Sequence, residues 1–273
     1  MPAMKWSTIL VGKWSWYRPL VSIAFIYLLL ALYAMFFADR MIFIPPRASY
    51  DRTLPDLVLI ETEDNGTIAA LHIPAAEGMP TLLYSHGNAE DLGHSRDLYE
   101  IWHEAGLGVL AYDYPGYGLS EGRSTEQSAN RAARIAWDYL IESGVAPESV
   151  VIAGRSVGSG PACRLAADVD AGGLVLISPF TSAYAVMLPP WLLPGDRFRN
   201  LSLIPDIHCP LLVVHGENDS IISASHGKRL YEASGAEQKT WMPVPGTGHN
   251  DLFHLRPDLP DVIARFAIEA VGR

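Results

Sequence analysis

The sequence predicts an α/β fold, a parallel sheet covered by helices on both faces, preceded by one membrane-spanning helix. Three observations predict it. Short, solidly apolar runs alternate with helical patterns from residue 81 to the C-terminus, as in a sheet buried on both sides. One such run, residues 149–154, breaks into Gly-Arg-Ser-Val-Gly and then into helix-forming sequence. Near the N-terminus, residues 19–38 form a 20-residue stretch without a charge.

In chain order, residues 1–17 read as a tail and residues 18–39 as a transmembrane anchor. At about 1.5 Å per residue, the uncharged stretch spans roughly the 30 Å of a bilayer core. Trp14, Trp16 and Tyr17 before it and Phe43 after it fit an aromatic belt at the membrane interface. A cleaved signal peptide is the rival reading, with a core helix behind it. A signal's apolar region is shorter, about 7–15 residues, and ends in small residues, whereas this one ends Tyr-Ala-Met-Phe-Phe-Ala. Three basic residues precede the segment (Lys5, Lys13, Arg18) and three follow it (Arg40, Arg47, Arg52). Only the N-terminal amine tips this balance, towards a tail inside and a domain outside.

Residues 40–56 read as a Pro-containing linker, and residues 57–273 as the folded domain. Strands at 57–62 and 67–73 flank Asp64-Asn65-Gly66, a hairpin signal. Further strands are expected at 81–86, 109–114, 149–154, 173–178, 210–216 and 239–244. Helices are expected near 92–105, 124–142, 157–167 and 257–271. Ser124-Thr125-Glu126-Gln127 supplies a capping-box pattern for the second of these.

Composition narrows the function. The net charge of −10 argues against a nucleic-acid partner, which needs a basic footprint. Cys163 and Cys209 are too few for a disulfide scaffold and lack metal-ligand spacing, so they read as small core residues.

In parallel sheets, ligands bind beyond the carboxyl ends of the strands. Gly154-Arg155-Ser156-Val157-Gly158 has the strand-turn-helix context of a nucleophile elbow, where small neighbours permit a tight turn that lifts the serine hydroxyl. A serine hydroxyl is a weak nucleophile at neutral pH and needs an adjacent base. His249, in the Gly-rich loop after the last strand, is the candidate base. Asp219, after the preceding strand, is the candidate that orients its imidazole, with Glu217 as the competing carboxylate. The order Ser, Asp, His along the chain is the one expected for an elbow of this kind. Two backbone N–H groups should hold a developing oxyanion: that of Val157, and that of Asn88 in the loop after the third strand.

Six motifs in order, YSHGNAEDLG, YDYPGYGLSEG, GRSVGSGPA, SPFTS, HGENDSIIS and GTGHND, resemble the α/β-hydrolase superfamily of serine hydrolases. They are most similar to the membrane-associated α/β-hydrolase-domain proteins, which include protein S-depalmitoylases and bacterial esterase-like relatives. The resemblance implies an α/β-hydrolase fold with about eight mostly parallel strands. It also implies a Ser156–Asp219–His249 triad and an acyl-enzyme intermediate without metal or cofactor. The depalmitoylases attach through a cysteine-rich, lipidated N-terminus, whereas this chain has no cysteine before Cys163. Membrane proximity therefore transfers better than depalmitoylase activity.

A lid inserted after the sixth strand is expected to be minimal, about residues 180–205. Within it, residues 185–194 (AVMLPPWLLP) read either as an acyl-binding or membrane-facing lip, or as a Pro-interrupted helix packed on the core. The expected partners are the membrane and a lipid-like or acylated substrate. The expected activity is ester or thioester hydrolysis. An amidase or peptidase with the same triad, or a non-catalytic binding module on a hydrolase fold, are the alternatives.

Overall fold

The computed structural model of the chain describes residues 16–63 and 66–272. Apolar and β-branched runs form eight strands: β1 (Leu57–Glu61), β2 (Thr67–Ile73), β3 (Thr81–Ser85), β4 (Gly108–Tyr112), β5 (Val150–Arg155), β6 (Gly173–Ile177), β7 (Leu211–Gly216) and β8 (Lys239–Val244). They make one sheet in the order β1-β2-β4-β3-β5-β6-β7-β8. β2 is antiparallel to β1 and β4, and every other pair is parallel. Within the first hairpin, Asp64 and Asn65 lie outside the described residues.

Successive strand residues point to opposite faces, so the sheet divides the core in two. Leu83, Leu110, Ile152, Leu176 and Val213 face one side. That side is covered by α3 (Glu126–Glu142) and α4 (Ser159–Asp168), which bring Ala133, Trp137, Ala162 and Leu165. Leu82, Val109, Val151, Val175 and Val214 face the other. There α2 (Arg96–Glu104) contributes Tyr99 and Trp102, and α8 (Leu259–Val271) contributes Ile263 and Ala267. Three further α-helices are found among the described residues of the domain: α5 (Asn200–Leu203), α6 (Ala224–Ala233) and α7 (Leu252–Leu255). Cys163 lies in the core and Cys209 is part-buried; both are free thiols, and burial pushes Cys209 up to about 11.

The capping pattern of α3 starts one residue later than the expected Ser124. Thr125 is the N-cap, its hydroxyl accepts from Ser128 N, and Ser128 Oγ accepts from Thr125 N. Ser124 instead donates to the Pro115 carbonyl.

The apolar N-terminal segment is a helix, α1 (Arg18–Ile42), whose most apolar stretch has mean hydropathy 2.5. By length and composition it is long and apolar enough to cross a membrane. It runs three residues beyond the expected limit of 39. Its small residues Ala31, Ala34 and Ala38, spaced by three and four, are its buried face and lie towards the domain. Trp16 and Tyr17 are exposed at its start, while Trp14 lies outside the described residues. Phe43 departs from the belt reading: it is only 5% exposed and its ring meets those of Tyr114, Tyr117 and Phe198. The cause is a three-way aromatic contact between residues far apart in sequence, which burial of a large ring stabilises.

The stretch from 43 to 56 is stitched to the domain rather than hanging free. Ser49 donates through N–H and hydroxyl to Asp91, and Tyr50 donates its hydroxyl to Asp113.

Candidate active site

Four loops meet at the carboxyl edge of the sheet, after β3, β5, β7 and β8. β5 ends at Arg155, and the chain turns at once into a short helical turn, Ser156–Gly158, that leads into α4. Ser156 carries the turn at φ +52°, a left-handed conformation that costs a non-glycine residue about 1–2 kcal/mol. The flanking glycines are required by space. A Cβ on Gly154 would stand 2.4 Å from Gly158 O and 2.6 Å from Ala162 Cβ. A Cβ on Gly158 would stand 2.1 Å from Ser85 O, at the end of the neighbouring β3.

The structure brings Ser156, His249 and Asp219 together from three loops. His249 Nε2 lies 2.9 Å from Ser156 Oγ, and His249 Nδ1 lies 2.7 Å from Asp219 Oδ2. A carboxylate can only accept, so Nδ1 carries the proton and Nε2 is free to accept from the serine hydroxyl. Asp219 and His249 are buried. Asp219, not Glu217, faces the imidazole; Glu217 is exposed and its N–H donates to Val244 O.

Asp219 is held on every side. Oδ1 accepts from the N–H groups of Ile221 at 2.9 Å and Ile222 at 2.7 Å. His215, buried on β7, has Nε2 2.7 Å from Ile222 O and 3.3 Å from Asp219 Oδ2. Both neighbours are acceptors, so Nε2 bears the proton, and Nδ1 has no hydrogen-bond partner among the described residues. Burial alone would push the Asp219 carboxyl up. Hydrogen bonds from His215, His249 and the Ile222 amide outweigh it and hold the carboxyl well below the usual carboxylate range.

Val157 is the second residue of the turn that begins at Ser156, where a helical start leaves N–H groups without intrahelical partners. Asn88 lies in the loop after β3, and among the described residues its backbone N–H has no hydrogen-bond acceptor. These are the two amides expected to act as oxyanion donors.

Sequence reasoning passed over a second set of residues that hold this arrangement. Arg155, the variable residue of the elbow, pairs with Glu90. Glu90 Oε2 also accepts from the Gly87 amide at 3.2 Å, and Arg155 Nη2 lies 3.5 Å from His249 O. The Arg155 guanidinium stacks 5.7 Å from the centroid of the Phe253 ring. One ion pair therefore ties three loops together. The only sequence signal was an arginine where the elbow motif tolerates any residue. Among the described residues, no group of three or more His, Cys, Asp or Glu side chains is arranged to hold a metal ion.

Of residues 185–194, Val186 packs part-buried against the core, but the larger side chains of Met187 and Trp191 do not. Met187 is 84% and Trp191 81% exposed. The segment is instead fastened to α1: Tyr27 donates to Leu192 O at 3.1 Å and Tyr184 to Ala34 O at 2.9 Å. Arg197, just beyond, donates to Met35 O and pairs with Asp39.

The chain is similar to known hydrolases. Residues 79–200 match the model of a hydrolase family described as serine aminopeptidase, S33. The chain is 34% identical to the alpha/beta hydrolase domain-containing protein aho-3 of Caenorhabditis elegans over 245 residues, covering 78% of this chain and 73% of that protein. It is 36% identical to an uncharacterized protein of Mycobacterium tuberculosis over 248 residues, 86% of this chain and 85% of that one. An esterase of Pyrococcus furiosus superposes with a TM-score of 0.67 at 21% identity, over 85% of this chain and 98% of the esterase, a likeness of fold.

Proposed function

We propose that this chain, which belongs to the α/β-hydrolase superfamily, is a membrane-anchored serine hydrolase that cleaves carboxylic ester or thioester bonds of lipid-like or acylated substrates. The observation that carries this reading is the relay Ser156–His249–Asp219, with separations of 2.9 and 2.7 Å. Ser156 Oγ attacks the carbonyl carbon while His249 Nε2 takes the hydroxyl proton. Asp219 keeps the proton on Nδ1 and stabilises the imidazolium. The N–H groups of Val157 and Asn88 hold the oxyanion. Collapse of the intermediate releases an alcohol or thiol, which takes the proton from His249, and leaves an acyl ester on Ser156. Water, deprotonated by the same imidazole, then attacks the acyl ester; the bond to Ser156 Oγ breaks, the carboxylic acid leaves, and the imidazolium returns its proton to Oγ.

The substrate class follows from α1 and the exposed lip. Met187 and Trp191 stand free beside a helix able to cross a bilayer, and Tyr27 in the middle of that helix bonds the lip at Leu192. A lip fastened to such a helix would face the membrane, which supports acyl chains as the substrates within reach. The amidase or peptidase reading uses the same parts, and the family description of residues 79–200 as serine aminopeptidase favours testing it.

Hydrolysis of p-nitrophenyl esters from acetyl to palmitoyl by the full-length chain in detergent decides between acyl classes, with Ser156→Ala as the blank. Serine-dependent kcat/KM is expected to rise with chain length, by about 15-fold per two buried methylenes at most, since each contributes about 0.8 kcal/mol. A maximum at acetyl would overturn the lipid-like substrate and leave a small-ester hydrolase. Serine-dependent cleavage of aminoacyl anilides with no ester turnover would favour the peptidase.

A further inference from the structure

Asn88 has a side chain with an occupation unrelated to its backbone N–H. Its Nδ2 donates to the carbonyl of Ile42, the last residue of α1, at 2.5 Å. Its Oδ1 accepts from Ile44 N at 3.0 Å and from the Tyr117 hydroxyl at 2.6 Å. The last carbonyls of a helix have no intrahelical donors. Asn88 therefore caps the end of α1 from 46 residues away in sequence.

The neighbouring residue shows why the loop needs such support. Ala89 sits at φ +56°, a conformation a non-glycine residue keeps only when its surroundings impose it. Its N–H also goes to Asn88 Oδ1, at 3.0 Å. A second link runs through Phe43, the first residue beyond α1. Its ring packs on Tyr114 and Tyr117. Tyr114 donates to the His86 carbonyl at 2.6 Å, and its ring lies 4.4 Å from the His86 ring. The exit of the membrane helix thus grips the loop after β3 at His86 through Phe43 and Tyr114, and at Asn88 directly.

We infer that the Asn88 side chain is a positioning residue: it locks the oxyanion loop onto the exit of the membrane helix, which makes the anchor a working part of the active site rather than a tether. The inference rests on the serine-hydrolase reading for its effect on rate. Any side chain at 88 keeps the backbone N–H, so substitution there removes the support and spares the donor. An oxyanion donor acts on the transition state, so its displacement lowers kcat and leaves KM nearly unchanged.

The test is a double-mutant cycle on the full-length chain in detergent with a soluble short-chain ester. Asn88→Ala is expected to lower kcat by about 10- to 100-fold, less than the 10²–10³ for complete loss of one donor, with KM within about twofold. Phe43→Ala is expected to do the same, with Phe43→Leu as the milder variant should the alanine chain not fold. The double variant is expected to lose little more than either single one, because both release the same loop. Wild-type kcat in Asn88→Ala, or losses that multiply, would overturn the inference. Amide exchange at Gly87 and Ala89, whose N–H groups are hydrogen-bonded, is measured in parallel in a Ser156→Ala background, where turnover plays no part. It is expected to quicken at least tenfold in Phe43→Ala. Unchanged exchange would overturn the coupling even if hydrolysis is confirmed. Absence of Ser156-dependent turnover in the wild type would overturn the hydrolase reading separately.

Discussion

Replacing Ser156 by alanine is expected to lower kcat for a soluble p-nitrophenyl ester by about 10⁵-fold or more while leaving the fold unchanged. Removal of a nucleophile from a cooperating triad costs nearly as much as removal of the whole set, because the remaining members have nothing to activate. Stability should hardly move. Alanine bears the same left-handed backbone strain at φ +52°, and the one hydrogen bond that disappears, from the Ser156 hydroxyl to His249 at 2.9 Å, is worth about 1 kcal/mol. Steady-state rates measured beside a thermal melt check both halves. A variant that keeps more than about a hundredth of the rate at an unchanged melting temperature would remove Ser156 from the mechanism.

The second large effect is expected for Asp219→Asn, a loss of about 10⁴ in kcat. The carboxylate fixes the proton on His249 Nδ1 at 2.7 Å. An asparagine amide can donate towards Nδ1, which favours the other tautomer and places a proton on Nε2, where Ser156 needs an acceptor. Glu217→Gln, at an exposed position off the imidazole, should change kcat by less than twofold. A stability signature accompanies the rate loss. Folding depresses the Asp219 carboxyl, through His215, His249 and the Ile222 amide. A depressed carboxyl adds stability above its unfolded value, about 3.9, and that contribution fades as pH falls through the lower folded value. The gap in melting temperature between wild type and Asp219→Asn should therefore be level above about pH 5 and narrow below about pH 4. A gap that widens on acidification would contradict the assigned network.

Much of this was legible in the sequence because the fold announces itself locally. Each buried strand is a run of apolar residues, and Ser156, Asp219 and His249 each follow such a run in the expected order. Elements without a local signal were not legible. Helix α6 buries His226, Gly227 and Leu230, a face with one aliphatic residue and thus no apolar period of 3.6. The start of α3 was displaced by one residue because Ser124 and Thr125 are equally able caps, and a distant carbonyl, that of Pro115, engages Ser124. Phe43 looks like an interfacial aromatic until its partners at 114, 117 and 198 are known. Arg155, Glu90 and the Asn88 side chain act across 46 to 94 residues of chain, and no pattern in a single sequence marks such pairings. The fold and the meeting of Ser156, Asp219 and His249 at its strand ends were therefore readable from the sequence. The scaffold that aims them became visible only in three dimensions.

A covalent intermediate on Ser156 is revealed by the site at which the chain reacts with an acyl-transfer mimic. The full-length chain in detergent is treated with a fluorophosphonate, digested, and mapped by mass. One phosphonyl group per chain is expected, on the peptide containing Ser156, and it should be lost in His249→Ala. An unlabelled wild-type chain, or an adduct carried by any other residue, would contradict it.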